Sequence, residues 1–231
     1  MNNVIVWRFH RLVFTEPLLL SLGVTACLIV LALVLRQRIA HTPGGLPVIV
    51  EATYQLMHDA VAEVVGATHV ERVLPFVGTL WLFILLANLL GLVPGLVSPT
   101  RDLSITSALA AIVFAAVHVF GIHACGWSAY LRHYLAPNPI LLPFHLISEI
   151  TRTISLAIRL FGNMMSLEMA AMLMLLVAGL LVPVPLLLLH IVEALVQAYI
   201  FGMLALIYVS SALEVSQQAH SRSPISKESS A

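Results

Sequence analysis

The sequence predicts an all-α, polytopic membrane protein with about five membrane helices, and three observations carry that prediction. Hydrophobic residues fill 60% of the 231 positions and charged residues only 10%. A soluble domain carries about 25% charged residues, so this chain cannot make an ordinary wet surface. The apolar residues gather into runs long enough to cross a bilayer, which takes about 20 of them as a helix. Within those runs a few ionisable side chains recur at helical spacing. The formal net charge is zero, so no basic face points to nucleic acid. Neither GxxxxGKS nor GxxxxGKT occurs, so no direct nucleotide binding is expected.

The first span runs from about Pro17 to Leu35. It lacks a clear small-residue cleavage site and more spans follow, so it reads as a signal anchor. Next comes LPVIVEATYQLMHDAVAEVVG, whose apolar residues Val48, Ile49, Ala52, Leu56, Ala60 and Val64 fall at helical spacing, with Glu51, His58, Asp59 and Glu63 elsewhere. This predicts an amphipathic helix lying at the membrane interface. The second span covers about Leu74–Leu96 and the third Leu103–Cys125. Two longer stretches follow, about Pro139–Val182 and Pro185–Leu213. Pro183-Val184-Pro185 separates them as a loop or tight hairpin, since proline lacks an N–H and clashes with the preceding turn. The longer stretch would reach about 60 Å as one helix, twice the hydrocarbon thickness, so it must tilt, lie along the membrane or break.

From Ser216 the chain turns polar and serine-rich and is expected to be disordered. Three regions result: 1–70, an anchor span and interfacial helix; 71–215, the membrane core; and 216–231, a polar tail. No internal repeat stands out. Cys27 and Cys125 sit in apolar runs and read as small buried hydrophobes rather than as a disulfide.

Orientation follows from the basic residues. With five alternating spans, one face receives Arg36, Arg38, Arg72, Arg132, Arg222 and Lys227, and the other Arg8, Arg11 and Arg101. The positive-inside rule places the first set in the cytoplasm, hence the N-terminus outside and the C-terminus inside.

A charge at the bilayer centre costs at least about 2.5–3.5 kcal/mol, so ionisable groups within the spans are functional candidates. They are Glu149, Arg152, Arg159, Glu168 and Glu193, with His145 and His190 among them. At about 100° per residue, His145, Glu149, Arg152, Arg159 and Asn163 share one helical stripe, while Glu168 projects elsewhere. On the last helix His190, Glu193, Gln197, Tyr208 and Ser211 form a second stripe. Two readings stand. Facing seams could line a water-filled path, or Glu149 could simply pair with Arg152 at i,i+3. Arg159 has no acid three or four residues away on its own helix.

SLAIRLFGNMMSLEM, residues 155–169, resembles the signature of the F-type ATP synthase subunit a family. Its RLFGN core matches Arg159 to that family's essential stator arginine, and the glutamate nine residues on matches Glu168. HIVEALVQAYIF, residues 190–201, is similar to the family's last helix, with His190 seven residues before Gln197. ANLLGLVPG, residues 87–95, resembles its second-span motif through Asn88 and Pro94. LPFHLISEITRT, residues 142–153, looks like the bacterial N-type subgroup.

The resemblance covers about residues 70–213. It implies an ion-translocating stator subunit with two half-channels, its last two helices a long tilted hairpin against a ring of c subunits. Arg159 would face the ring carboxylates. Glu168, His190, Glu193, Gln197, Asn163, His145, Glu149 and Arg152 would line or gate the ion path. The implied partners are the c ring, the subunit b peripheral stalk, the other synthase subunits and lipid, in a bacterial inner membrane. The transported ion is H+ or Na+, with no cofactor, metal or catalytic site in this chain. Two other classes compete: a stand-alone secondary transporter, which often shows inverted repeats, and a di-metal membrane enzyme, for which His118 and His123 supply only one loose pair.

Overall fold

The structure, a computed structural model, describes residues 5–9, 12–41, 45–66, 68–93, 96–127, 142–178 and 183–221. Its elements in order are a short antiparallel ribbon, β1 (Ile5–Phe9) with β2 (Leu12–Thr15), then α1 (Glu16–His41), α2 (Gly45–Val65), α3 (Val70–Leu89), α4 (Leu103–Cys125), α5 (Leu142–Ala178) and α6 (Pro183–Ser221). Single 3-10 turns at Leu90–Leu92 and Pro99–Arg101 join α3 to α4. Among the described residues five helices are long and apolar enough to cross a membrane, so the protein is the predicted polytopic helical bundle. The ribbon is an addition that hydropathy does not predict, built from a stretch rich in the β-branched and aromatic residues that favour strands.

Helix α3 is the hub. Half of its membrane-crossing window is buried, against 6% for α1 and 11% for α5. One apolar cluster joins α3, α4, α5 and α6 through Leu80, Ile84, Val113, Leu156, Leu160 and Phe201. A second joins α2, α3 and α6 through Val61, Val73, Val77, Trp81, Leu206 and Val209. The closest approach of α3 to α6 is at Gly202, where a side chain would run into the Trp81 indole. Trp81 uses that space to donate from Nε1 to the Tyr199 carbonyl at 3.3 Å. Its ring stacks on the Tyr199 ring at a centroid distance of 6.2 Å.

Several boundaries differ from the sequence expectation. The second span is α3 plus its 3-10 turn, Val70–Leu92, and so begins before Leu74. The prolines Pro183 and Pro185 lie within the first turn of α6 rather than in a loop. In that turn the missing N–H of proline has no intrahelical partner to lose. Residues 179–182 lie outside the described residues, as do 139–141. Helix α6 carries on past Ser216 to Ser221; residues 222–231 are outside the described residues.

Helix α2 is confirmed as a helix, and Ala60 and Val64 of its expected apolar stripe pack against the bundle. Val48 and Leu56 are exposed, whereas Val61 is fully buried with Met57, Ala60 and Val64 packed around it. The wide apolar stripe leaves its other edge to the surroundings. Cys27 is free and exposed on α1 rather than buried; a helix buried on so little of its surface presents even small apolar residues outward. The side chain of Cys125 lies outside the described residues.

Candidate functional site

Polar groups lie in three patches along the bundle, each tied between helices rather than within one. At the end of the bundle nearest the Pro99–Arg101 turn, Asn88 closes α3 with its side chain fully buried. Its Oδ1 accepts the Thr100 hydroxyl at 2.7 Å, and its backbone carbonyl lies 3.1 Å from His190 Nε2. Ser98 donates to the Ala87 carbonyl at 2.9 Å and sits 2.6 Å from the Thr100 hydroxyl. Gly91 packs closely on Ser98, where a Cβ would sit 3.2 Å from the Ser98 Cβ, with the His190 imidazole in ordinary contact beyond. On α5, Glu168 accepts from Arg101 Nη1 at 2.8 Å. Pro94 lies outside the described residues.

In the middle, Asn163 on α5 donates from Nδ2 to Gln197 Oε1 on α6 at 2.7 Å. Gln197 is buried, and its Nε2 has no hydrogen-bond acceptor among the described residues; the same holds for Asn88 Nδ2. Buried donors without acceptors are uncommon, and each calls for a reason. Arg159 lies one helical turn before Asn163, exposed on α5, and makes no ion pair among the described residues.

Toward the other end, Glu149 on α5 pairs with His118 on α4 at 3.3 Å. The guanidinium of Arg152 lies 5.3 Å from the centroid of the Tyr208 ring on α6, a cation–π distance. These contacts replace the intrahelical Glu149–Arg152 pair that i,i+3 spacing offers. Both side chains find partners on neighbouring helices, and no ion pair joins them to each other. His145 belongs to α5, but its side chain is outside the described residues.

The two predicted seams meet each other at two pairs. Asn163 faces Gln197, Arg152 faces Tyr208, and His190 reaches α3. Glu193 is half-buried one turn beyond His190 without a polar contact among the described residues. Ser211 does not join the seam: it is exposed and bonds back to the Ile207 carbonyl of its own helix at 2.7 Å. Its neighbour Ser210 points inward instead and donates to the Val64 carbonyl of α2 at 3.0 Å. Sequence reasoning missed Arg101, His118, Ser98 and Thr100. Arg101 flanks a span, where a charge is ordinarily read as a topology signal, and His118 was weighed only with His123 as a loose metal-ligand pair.

A bundle of membrane-length apolar helices with polar side chains tied between them is a polytopic membrane protein. The ATP synthase A chain family matches residues 18–210, and the chain belongs to that family. ATP synthase subunit a 1 of Hahella chejuensis (strain KCTC 2396) is 53% identical over 222 residues, covering 96% of this chain and 90% of that protein. ATP synthase subunit a 2 of Pelobacter propionicus (strain DSM 2379 / NBRC 103807 / OttBd1) is 60% identical over 178 residues, covering 77% and 78%. ATP synthase subunit a of Legionella pneumophila (strain Paris) is 56% identical over 172 residues, 74% of each chain.

Proposed function

We propose that this chain is the ion-translocating stator subunit of a rotary F-type ATP synthase in a bacterial inner membrane, with its N-terminus outside and its C-terminus cytoplasmic. Residues 71–215 form the channel core. Its partners are a ring of c subunits, each with one membrane carboxylate, the subunit b peripheral stalk and the rest of the complex. The transported ion is H+ or Na+. The nucleotide chemistry belongs to other subunits.

One observation carries the reading: Arg159 is an exposed guanidinium on a membrane helix, without an ion pair among the described residues. Such a charge is costly in hydrocarbon unless a counter-ion arrives from outside the chain. A ring carboxylate supplies one. It must be neutral to face lipid, and Arg159 favours its ionised form at close range, so the bound ion leaves into one half-channel. The next ring site is loaded from the other. Guanidinium suits the task because it stays charged at any physiological pH.

The two ends of the polar seam fit the two half-channels. Asn88, Glu168, His190 and Glu193 serve one, and His145, Glu149 and Arg152 the other, with Asn163 and Gln197 beside the arginine. The unsatisfied amide donors of Asn88 and Gln197 lie along that route, where water or a passing carboxylate would satisfy them. The driving term is about 2.3 kcal/mol per charge per 100 mV.

The test is Arg159→Ala in vesicles holding equal amounts of assembled complex. Coupled synthesis and ATP-driven pumping should both fall to background. Passive leak through the membrane sector should rise once the soluble head is stripped off, because a fixed positive barrier between the half-channels is gone. Arg159→Lys should block the leak better than Ala yet restore coupling poorly, since it keeps the charge without the planar fork. Near-normal synthesis in the Ala variant would remove Arg159 from the mechanism.

A further inference from the structure

The pair between Arg101 and Glu168 has a geometry that packing alone does not require. Arg101 ends the Pro99–Arg101 turn. An acid stands next to it in sequence, yet Asp102 is engaged elsewhere: its carboxylate accepts the Ser104 N–H at 2.7 Å and caps α4. The guanidinium instead crosses to α5 and donates from Nη1 to Glu168 Oε1 at 2.8 Å. The two side chains are 30% and 17% exposed, so the pair is partly withdrawn from solvent, where a charge-assisted hydrogen bond is strong and short. Thr100, one residue earlier, is buried and holds Asn88, whose own carbonyl meets His190. One short turn thus ties α3 and α5 together at the same end of the seam where His190 of α6 is docked.

We propose that Arg101 is a positioning residue for ion access from that face. It fixes the Glu168 carboxylate at the mouth of the passage. As a permanent cation beside that carboxylate, it also weakens the hold of Glu168 on a passing cation, so the ion is handed on rather than retained. The inference rests on the half-channel reading given above. A residue that only braced the turn would scale transport from both faces alike. A residue that tunes one mouth alters the ion dependence from one face only.

The experiment uses the whole complex in vesicles, with the rate followed as the concentration of the transported ion is varied on each face separately. Arg101→Gln should lower the apparent KM on the face where the Pro99–Arg101 turn opens by about threefold to fivefold, the scale of a partly exposed ion pair. The maximal rate should fall as release slows, and the KM on the opposite face should stay at its wild-type value. Arg101→Lys keeps the cation and should restore most of the wild-type behaviour, because only one N–H···O bond has to be replaced.

If Arg101→Gln does not assemble, Glu168→Asp serves instead. It keeps the charge but shortens the reach, and should produce the same one-sided shift. An unchanged KM on both faces, or an equal change on both, overturns the proposal. That failure is separable from failure of the half-channel reading itself, which would appear as retained coupling in Arg159→Ala.

Discussion

The 2.7 Å bond from Asn163 to Gln197 allows function to be separated from stability at single residues. Removing one partner leaves a polar group without its bond in a largely dry place, at a cost of about 1–3 kcal/mol, whereas replacing both by apolar groups of similar shape is close to neutral. Asn163→Leu should therefore lower the thermal midpoint of the complex, and Asn163→Leu/Gln197→Leu should recover much of the loss. Coupled transport should stay impaired in both. A double variant that regains transport along with stability would show that the pair only holds two helices together.

Legibility at this scale follows a pattern. Arg159, Glu168, His190 and Gln197 stand out in the sequence because charge and amide groups are conspicuous in apolar runs. Their partners do not. Glu149 has an arginine at i+3 and yet meets His118, because the pairing is decided by which helix packs beside it. Arg101 lies at a span's edge, where charges are unremarkable, and its bond to Glu168 spans 67 positions of chain.

Among elements, the fit of α3 to α6 depends on a missing side chain. A methyl group at Gly202 would run into the Trp81 indole, and forcing extra volume into a packed contact costs about 1–3 kcal/mol. Gly202→Ala should lower the thermal midpoint and the yield of assembled complex. Trp81→Ala added to it should recover part of the assembled yield, since it removes the ring atoms that a methyl group at position 202 would meet. No recovery would mean that the helices meet elsewhere than at this contact.

Helix existence was legible throughout, because hydrophobic run length and spacing report it directly. Ends and inward faces were less so. The prolines before Leu186 read as a break although they open α6, because proline is disruptive in a helix interior and harmless in its first turn. The apolar residues of α2 cover more than one face, so spacing alone does not say which edge meets the bundle. Only contact with α3 and α6 selects Met57, Val61 and Val64.

For the whole molecule, orientation is the property the basic residues bear on most directly. A reporter fused after Ser216 should be cytoplasmic, and one at residue 3 should be outside; a C-terminal tag labelled from the external face of intact cells would reverse the assignment. The five-span layout was legible from composition and run length. The way the helices sort into a buried hub and outward-facing members was not, because burial is a property of neighbours. That sorting has a mechanical side. Helix α5 offers most of its surface outward, yet it is pinned along its length: to α4 at Glu149, to α6 at Arg152 and Asn163, and to the Pro99–Arg101 turn at Glu168. A beam fastened at several points between Glu149 and Glu168 resists bending and sliding there even when one side is bare. If a rotor turns against that bare side, its torque enters the stator here, and those same polar bonds keep α5 from being dragged along. Cutting one of them should then be felt as slip, with ATP consumed and little ion moved.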